Sequence, residues 1–131
     1  MKIWVISFDV MFVYPGVYRY VPIRKSVFMQ TAILNLKKFA KCHAVPDVAE
    51  NTAFALLLKA DLNESCNLLG ERAYRYMNLN AGYFVQSMNL SGQILRKAVR
   101  GERFFYHDEL KKLCEIPEGE SIIAEILVGK A

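Results

Sequence analysis

The stretch from Gly70 to Val99, G-E-R-A-Y-R-Y-M-N-L-N-A-G-Y-F-V-Q-S-M-N-L-S-G-Q-I-L-R-K-A-V, contains no proline. Its large apolar residues Tyr76, Leu79, Tyr83, Leu90 and Ile94 fall on three- and four-residue spacing, the period of a helix and not of a strand. Met77, Phe84, Val85, Met88 and Leu95 lie off that stripe, so the helix is apolar around most of its circumference and is expected to be buried on several sides. About 27 helical residues reach roughly 40 Å, more than the width of a small domain. The small pairs Ala81-Gly82 and Ser91-Gly92 suit close approach of another backbone. Glycine inside a helix costs about 1 kcal/mol against alanine, which points to a packing role. So long an apolar helix in so short a chain suggests packing against a second subunit.

The remaining chain supplies material for one domain with a real core: 131 residues, 53% of them hydrophobic. Three widely spaced cysteines, Cys42, Cys66 and Cys114, suit neither a disulfide framework nor a zinc site and read as free thiols in a reducing cytoplasm. His43 and His107 are too few and too far apart to suggest a metal site. The segment from Met1 to Val13 is apolar, but it carries Lys2 and Asp9 and is too short to span a bilayer. A net charge of +4 permits an anionic ligand without arguing for one.

In chain order, Lys2 to Val13 reads as a strand, with Val5, Ser7, Asp9 and Met11 on one face and Ile6, Phe8, Val10 and Phe12 on the other. Tyr14-Pro15-Gly16-Val17 has the composition of a type II turn, and Val17 to Val21 returns as its partner strand. A short strand over Ser26 to Met29 and an amphipathic helix from Ala32, ending before Pro46, follow. Thr52 to Ala60 has the length and composition of a central strand. Asp61 and Glu64 have capping-box spacing for a brief helix to Leu69. The long helix is expected to fade through Arg96, Lys97, Arg100 and Gly101, where positive charge complements the negative end of its dipole. A helix over His107 to Cys114 and a last strand over Ser121 to Val128 complete an α+β fold around a mainly antiparallel sheet.

The run G-E-R-A-Y-R-Y-x-x-L-x-A-G-x-x-x-Q-x-x-x-L resembles the central helix of nitroreductase-type flavoproteins, most nearly the SagB-type branch of azoline dehydrogenases. Pro15-Gly16-Val17-Tyr18-Arg19-Tyr20 resembles that branch's P-G-L-Y-x-Y hairpin. Asp108-Glu109-Leu110, Ile116-Pro117-Glu118 and Val128-Gly129-Lys130 resemble its terminal helix and last strand. The resemblance implies one nitroreductase-like domain over residues 1–131, an interlocked homodimer in which Ile122 to Ala131 reaches across to the partner, and FMN bound at the dimer interface. It also implies an N-terminal truncation relative to the family. The Arg-Arg-Ser segment and Pro-Ser-Ala loop that relatives place against the flavin have no counterpart in these residues.

Other departures bear on activity. Where relatives carry G-L-G-T and G-A-F after the long helix, this chain reads Arg96-Lys97-Ala98-Val99 and Arg103-Phe104-Phe105. Glycines there would let backbone approach a planar ring, and cationic side chains fill that space. The Lys-Tyr pair that precedes Gly-Glu-Arg in azoline dehydrogenases is Leu68-Leu69 here, and leucine transfers no proton.

The leading expectation is an FMN-dependent oxidoreductase transferring hydride through the flavin, with Arg96, Lys97, Arg100 and Arg103 as candidate cofactor-binding residues. Ordinary helix-end charge is the competing account of those cations, and packing is the competing account of Tyr74, Tyr76 and Tyr83. The alternative is a non-catalytic remnant, or one subunit of a split enzyme needing a complementing chain. Nucleic-acid binding through Arg96 to Arg103 with Phe104, Phe105 and Tyr106 is the weakest reading: Glu102 interrupts the cluster, and Asp108 and Glu109 follow it.

Overall fold

The structure, a computed structural model, describes residues 1–31 and 35–130. Six strands form one antiparallel sheet in the order β3-β2-β1-β4-β6-β5: β1 Lys2–Ser7, β2 Gly16–Val21, β3 Ser26–Thr31, β4 Thr52–Asp61, β5 Val99–Glu102 and β6 Glu120–Gly129. β4 is central, as the apolar run T-A-F-A-L-L-L-K-A leads one to expect. The helices are α1 Leu36–Ala40, α2 Pro46–Ala49, α3 Leu62–Leu69, α4 Ala73–Leu95 and α5 His107–Leu113. The expected helix over 32–45 is thus seen only from Leu36, since 32–34 lie outside the described residues.

The sheet carries two apolar faces. Trp4, Ile6, Val17 and Leu57 face a layer built from Phe39, Leu110, Cys114 and Ile116, which is the larger core. Ile3, Val5, Leu56, Ile126 and Val128 face the other way, toward Phe84, Val85 and Met88 of α4. The alternation along β1 matches the period-two reading of Val5 against Ile6. Asp61 caps α3 by accepting a hydrogen bond from the Glu64 backbone N–H at 3.0 Å. Gly70, with φ of 74°, then turns the chain through one 3₁₀ turn into α4.

Four sequence expectations need correction. The first strand ends at Ser7, not Val13. Phe8 and Asp9 both donate to the Ala53 carbonyl, and the chain then folds into a tight turn at Val10–Val13. Gly16 begins β2 instead of occupying the third position of a turn. A short helix, α2, starts at Pro46, where proline's fixed φ and missing N–H suit a first helical position. The basic stretch after α4 is not a fading helix. Arg96 takes the left-handed conformation, φ of 55°, and the Lys97 N–H reaches back to the Gly92 carbonyl at 2.8 Å. That closes the helix in a Schellman-type cap, and Val99–Glu102 then pairs with β6 as β5.

A fifth difference concerns what α4 packs against. Within the single chain it is buried on one side only: Ala73, Met77, Ala81 and Gly92 are covered, with Phe84, Val85 and Met88 partly so. The stripe Leu79, Tyr83, Leu90 and Ile94 points outward, with Ile94 82% and Tyr83 72% exposed. Phe84, Val85 and Met88, off the stripe, meet the sheet where α4 and β5 approach each other through glycines. A Cβ on Gly92 would overlap the Val99 side chain, and one on Gly101 would lie 2.7 Å from Val85 Cγ1. Gly92 therefore serves contact within the chain, while Gly82 has open space around it.

Candidate functional site

Two grooves flank α4. The first, about 650 Å³, lies beside the N-terminal half of the helix, between Asn78, Gln86 and Asn89 on one wall and Glu102, Arg103 and Glu125 on the other. It opens where β5 stops at Glu102 while β6 continues back to Glu120. The second, about 790 Å³ and mainly apolar, lies beside the C-terminal half, among Phe54, Met88, Leu95, Val99 and Val128.

The four cations proposed from sequence do not converge on one point. Arg103 lines the first groove and Lys97 the second. Arg100 lies on β5, its Nε 3.5 Å from Glu102 Oε2, and Arg96 forms the cap of α4. The backbone N–H groups of Arg103 and Phe104 both donate to Glu102 Oε1 at 2.9 Å, so a carboxylate of the chain itself takes the amide pair after β5. A flavin phosphate needs cationic side chains together with free amide donors. The described residues of one chain do not fit that requirement. Leu68 and Leu69, 77% and 55% exposed at the end of α3, offer no proton-transfer group either.

Two buried ionic clusters were not foreseen. His43 and Glu125 are buried together, His43 Nε2 lying 2.8 Å from Glu125 Oε2 and His43 Nδ1 2.9 Å from the Phe39 carbonyl. A carbonyl only accepts, so Nδ1 carries a proton. The Nε2–Oε2 contact then needs one more, held by either partner. Burial disfavours the charged form of both groups. It pushes Glu125 above the usual carboxylate range, whereas for His43 the Glu125 carboxylate outweighs burial and holds the imidazole above its ordinary value. Glu102 stands opposite Glu125 in the β5–β6 register and adds to both shifts.

At the opposite corner of the sheet, Glu120 bonds both Lys59 and Lys2, and the Lys59 ammonium sits 3.5 Å above the Trp4 ring. Burial opposes ionisation of Glu120, yet the two ammonium groups hold it below the usual carboxylate value. A sequence signal existed for both clusters: Lys59 and Glu125 are lone charges within apolar strand runs, and buried charges need partners. The partners themselves, 61 and 82 residues away, carry no local signal.

No protein-family model matches the chain. A candidate nitroreductase of Methanocaldococcus jannaschii is 25% identical over 126 residues, covering 90% of this chain and 60% of the relative. Among solved structures, a candidate nitroreductase from Anabaena variabilis superposes with a TM-score of 0.91 at 22% identity, over 98% of this chain and 26% of that one. The E. coli microcin synthetase McbBCD complex, solved with truncated pro-MccB17 bound, gives a TM-score of 0.83 at 13% identity, over 99% of this chain and 51% of that one. A candidate nitroreductase from Ralstonia eutropha gives 0.76 at 14% identity, over 99% of this chain and 57% of that one. The chain thus spans about 60% of the length of the curated relative it matches. Its six-stranded antiparallel sheet and long helix have the nitroreductase-like fold.

Proposed function

We propose that this chain is the dimer-forming core of an FMN-dependent oxidoreductase of nitroreductase type. The observation that carries the reading is the superposition of 98% of this chain on 26% of the Anabaena chain, a candidate nitroreductase, supported by the apolar outward face of α4. Two copies would bury Leu79, Tyr83, Leu90 and Ile94 against each other. A flavin at such an interface would draw on both chains, which suits a single chain whose cations are scattered. Among the four candidates, Arg103 and Lys97 are the two that line grooves beside α4, and they are the first to mutate.

A second reading is a subunit that keeps the dimer core without a working flavin pocket, either a remnant or one part of a split enzyme. Two observations favour it: Glu102 occupies the amide pair after β5, and leucines stand where the azoline-dehydrogenase branch carries Lys-Tyr. The visible absorption spectrum separates the two. Purified protein is mixed with FMN, desalted and scanned. A retained band near ~450 nm, the signature of the oxidised cofactor, is expected for the first reading. A colourless protein would exclude it as a stand-alone enzyme and leave the second, whose complementing chain would then be sought.

A further inference from the structure

The turn between β1 and β2 is built to protrude. Val13 N–H donates to the Val10 carbonyl at 3.1 Å, closing a four-residue turn with Met11 and Phe12 at its apex. Phe12 is 98% exposed and Met11 80%. Phe12 also holds φ of 65°, a left-handed conformation that glycine adopts freely and an aromatic residue does not. An aromatic side chain held there in water gains nothing within the chain from that geometry.

Beside this knob lies the second groove, walled by Phe54, Met88, Leu95, Val99 and Val128, with Met11 itself at one edge. Asp9, Lys97 and Lys130 also line it. None of the three forms an ion pair among the described residues. One face of the molecule therefore carries a convex apolar tip, a concave apolar groove, and unpaired charges of both signs.

We infer that the Met11–Phe12 turn docks in the second groove of another copy of this chain, with Asp9 of one copy facing Lys97 and Lys130 of the other. A two-fold interface joins one patch to itself, so each copy must present both halves of the contact, and this face does. The mixed charge selects the occupant. An amphiphilic acid would meet Asp9 among the lysines, whereas a second copy brings an aspartate to the lysines and lysines to the aspartate. The face also includes part of α4, whose Met88, Ser91 and Leu95 line the groove. This inference rests on the homodimer reading above and names the contact within it.

The test measures the dimer dissociation constant by sedimentation for four forms: wild type, Met11→Ser/Phe12→Asp, Asp9→Lys, and Asp9→Lys combined with Lys97→Asp and Lys130→Asp. Met11 and Phe12 are exposed, so the first variant is expected to fold, which its circular dichroism checks. Dissociation should rise at least tenfold in the first two variants and return toward wild type in the charge exchange. A first variant that dimerises as tightly as wild type, with no loss and recovery across the charge exchange, would overturn the inference and leave the homodimer reading standing on α4. A wild type that stays monomeric at high concentration would overturn both. If wild type binds phosphatidylglycerol vesicles and the first variant does not, with dimerisation unchanged, the turn is a membrane contact and the inference fails.

Discussion

Glu125 occupies the middle of the apolar run I-I-A-E-I-L-V, fully buried, and its acidity is tied to one imidazole. The pair holds a proton that the unfolded chain would release. His43, with its pKa raised, contributes stability that is fully present below its ordinary value near 6.5 and lost as pH rises through the higher folded value. Glu125, also raised, costs stability once it ionises, so its effect has the same sign. Over that window the folded state binds more protons than the unfolded state, and stability falls as pH rises. Glu120 runs the other way: its contribution is present above its ordinary value of 4.5 and disappears as pH falls through the depressed one. In Glu125→Gln the amide donates to a neutral His43 and the shared proton is gone. Melting curves at about pH 6 and about pH 9 should show wild type losing ground against Glu125→Gln at the higher pH. Parallel curves would mean that the pair does not titrate with folding.

At the scale of elements, α4 and β5 fit together through two glycines. Gly92 makes room for Val99 and Gly101 makes room for Val85, so helix and strand approach at both ends of their crossing. Gly92→Ala forces a methyl group into Val99 and should cost about 1–3 kcal/mol, the usual range for overpacking. Gly82→Ala, on the same helix but in open space, should gain up to about 1 kcal/mol from helix propensity. Denaturant unfolding of both variants checks the contrast. If Gly92→Ala is as stable as wild type, β5 does not pack on α4 as described. The cap at Arg96 belongs to the same unit, because it ends the helix where the chain must turn back to pair with β6. A sequence reading treats Arg96, Lys97, Arg100 and Arg103 as one basic cluster, yet a left-handed cap followed by an extended strand sends them to different places.

For the whole molecule, the outward stripe of α4 is the feature a single chain leaves unexplained. A row of large apolar residues on one helix face is the kind of surface that marks an interaction site. Leu90→Glu combined with Ile94→Glu should leave the fold intact, since both side chains are exposed, and shift a dimer toward monomer. Light scattering across a concentration series reads this out, and an unchanged mass would place the interface elsewhere. Among the described residues no helix is long and apolar enough to cross a membrane.

Much of this fold was legible because its signals are local. The helical spacing from Tyr76 to Ile94, the apolar run of β4, the cap at Asp61 and the last strand all follow from neighbouring residues. β5 was not legible: four residues, V-R-G-E, have too little apolar character to announce a strand, and only β6 beside them makes one. Nor could periodicity say which side of α4 meets the sheet, because a helix apolar nearly all round offers several faces and the glycine contacts choose between them. The sequence alone determined the types of the longer elements, the antiparallel character and the long apolar helix, all set by residue spacing and composition. Only the tertiary structure decided that His43 meets Glu125, that Lys59 and Lys2 share Glu120, and that the four candidate cations part company. Those outcomes depend on contacts between residues distant in the chain, which burial and sheet register impose and no local pattern encodes.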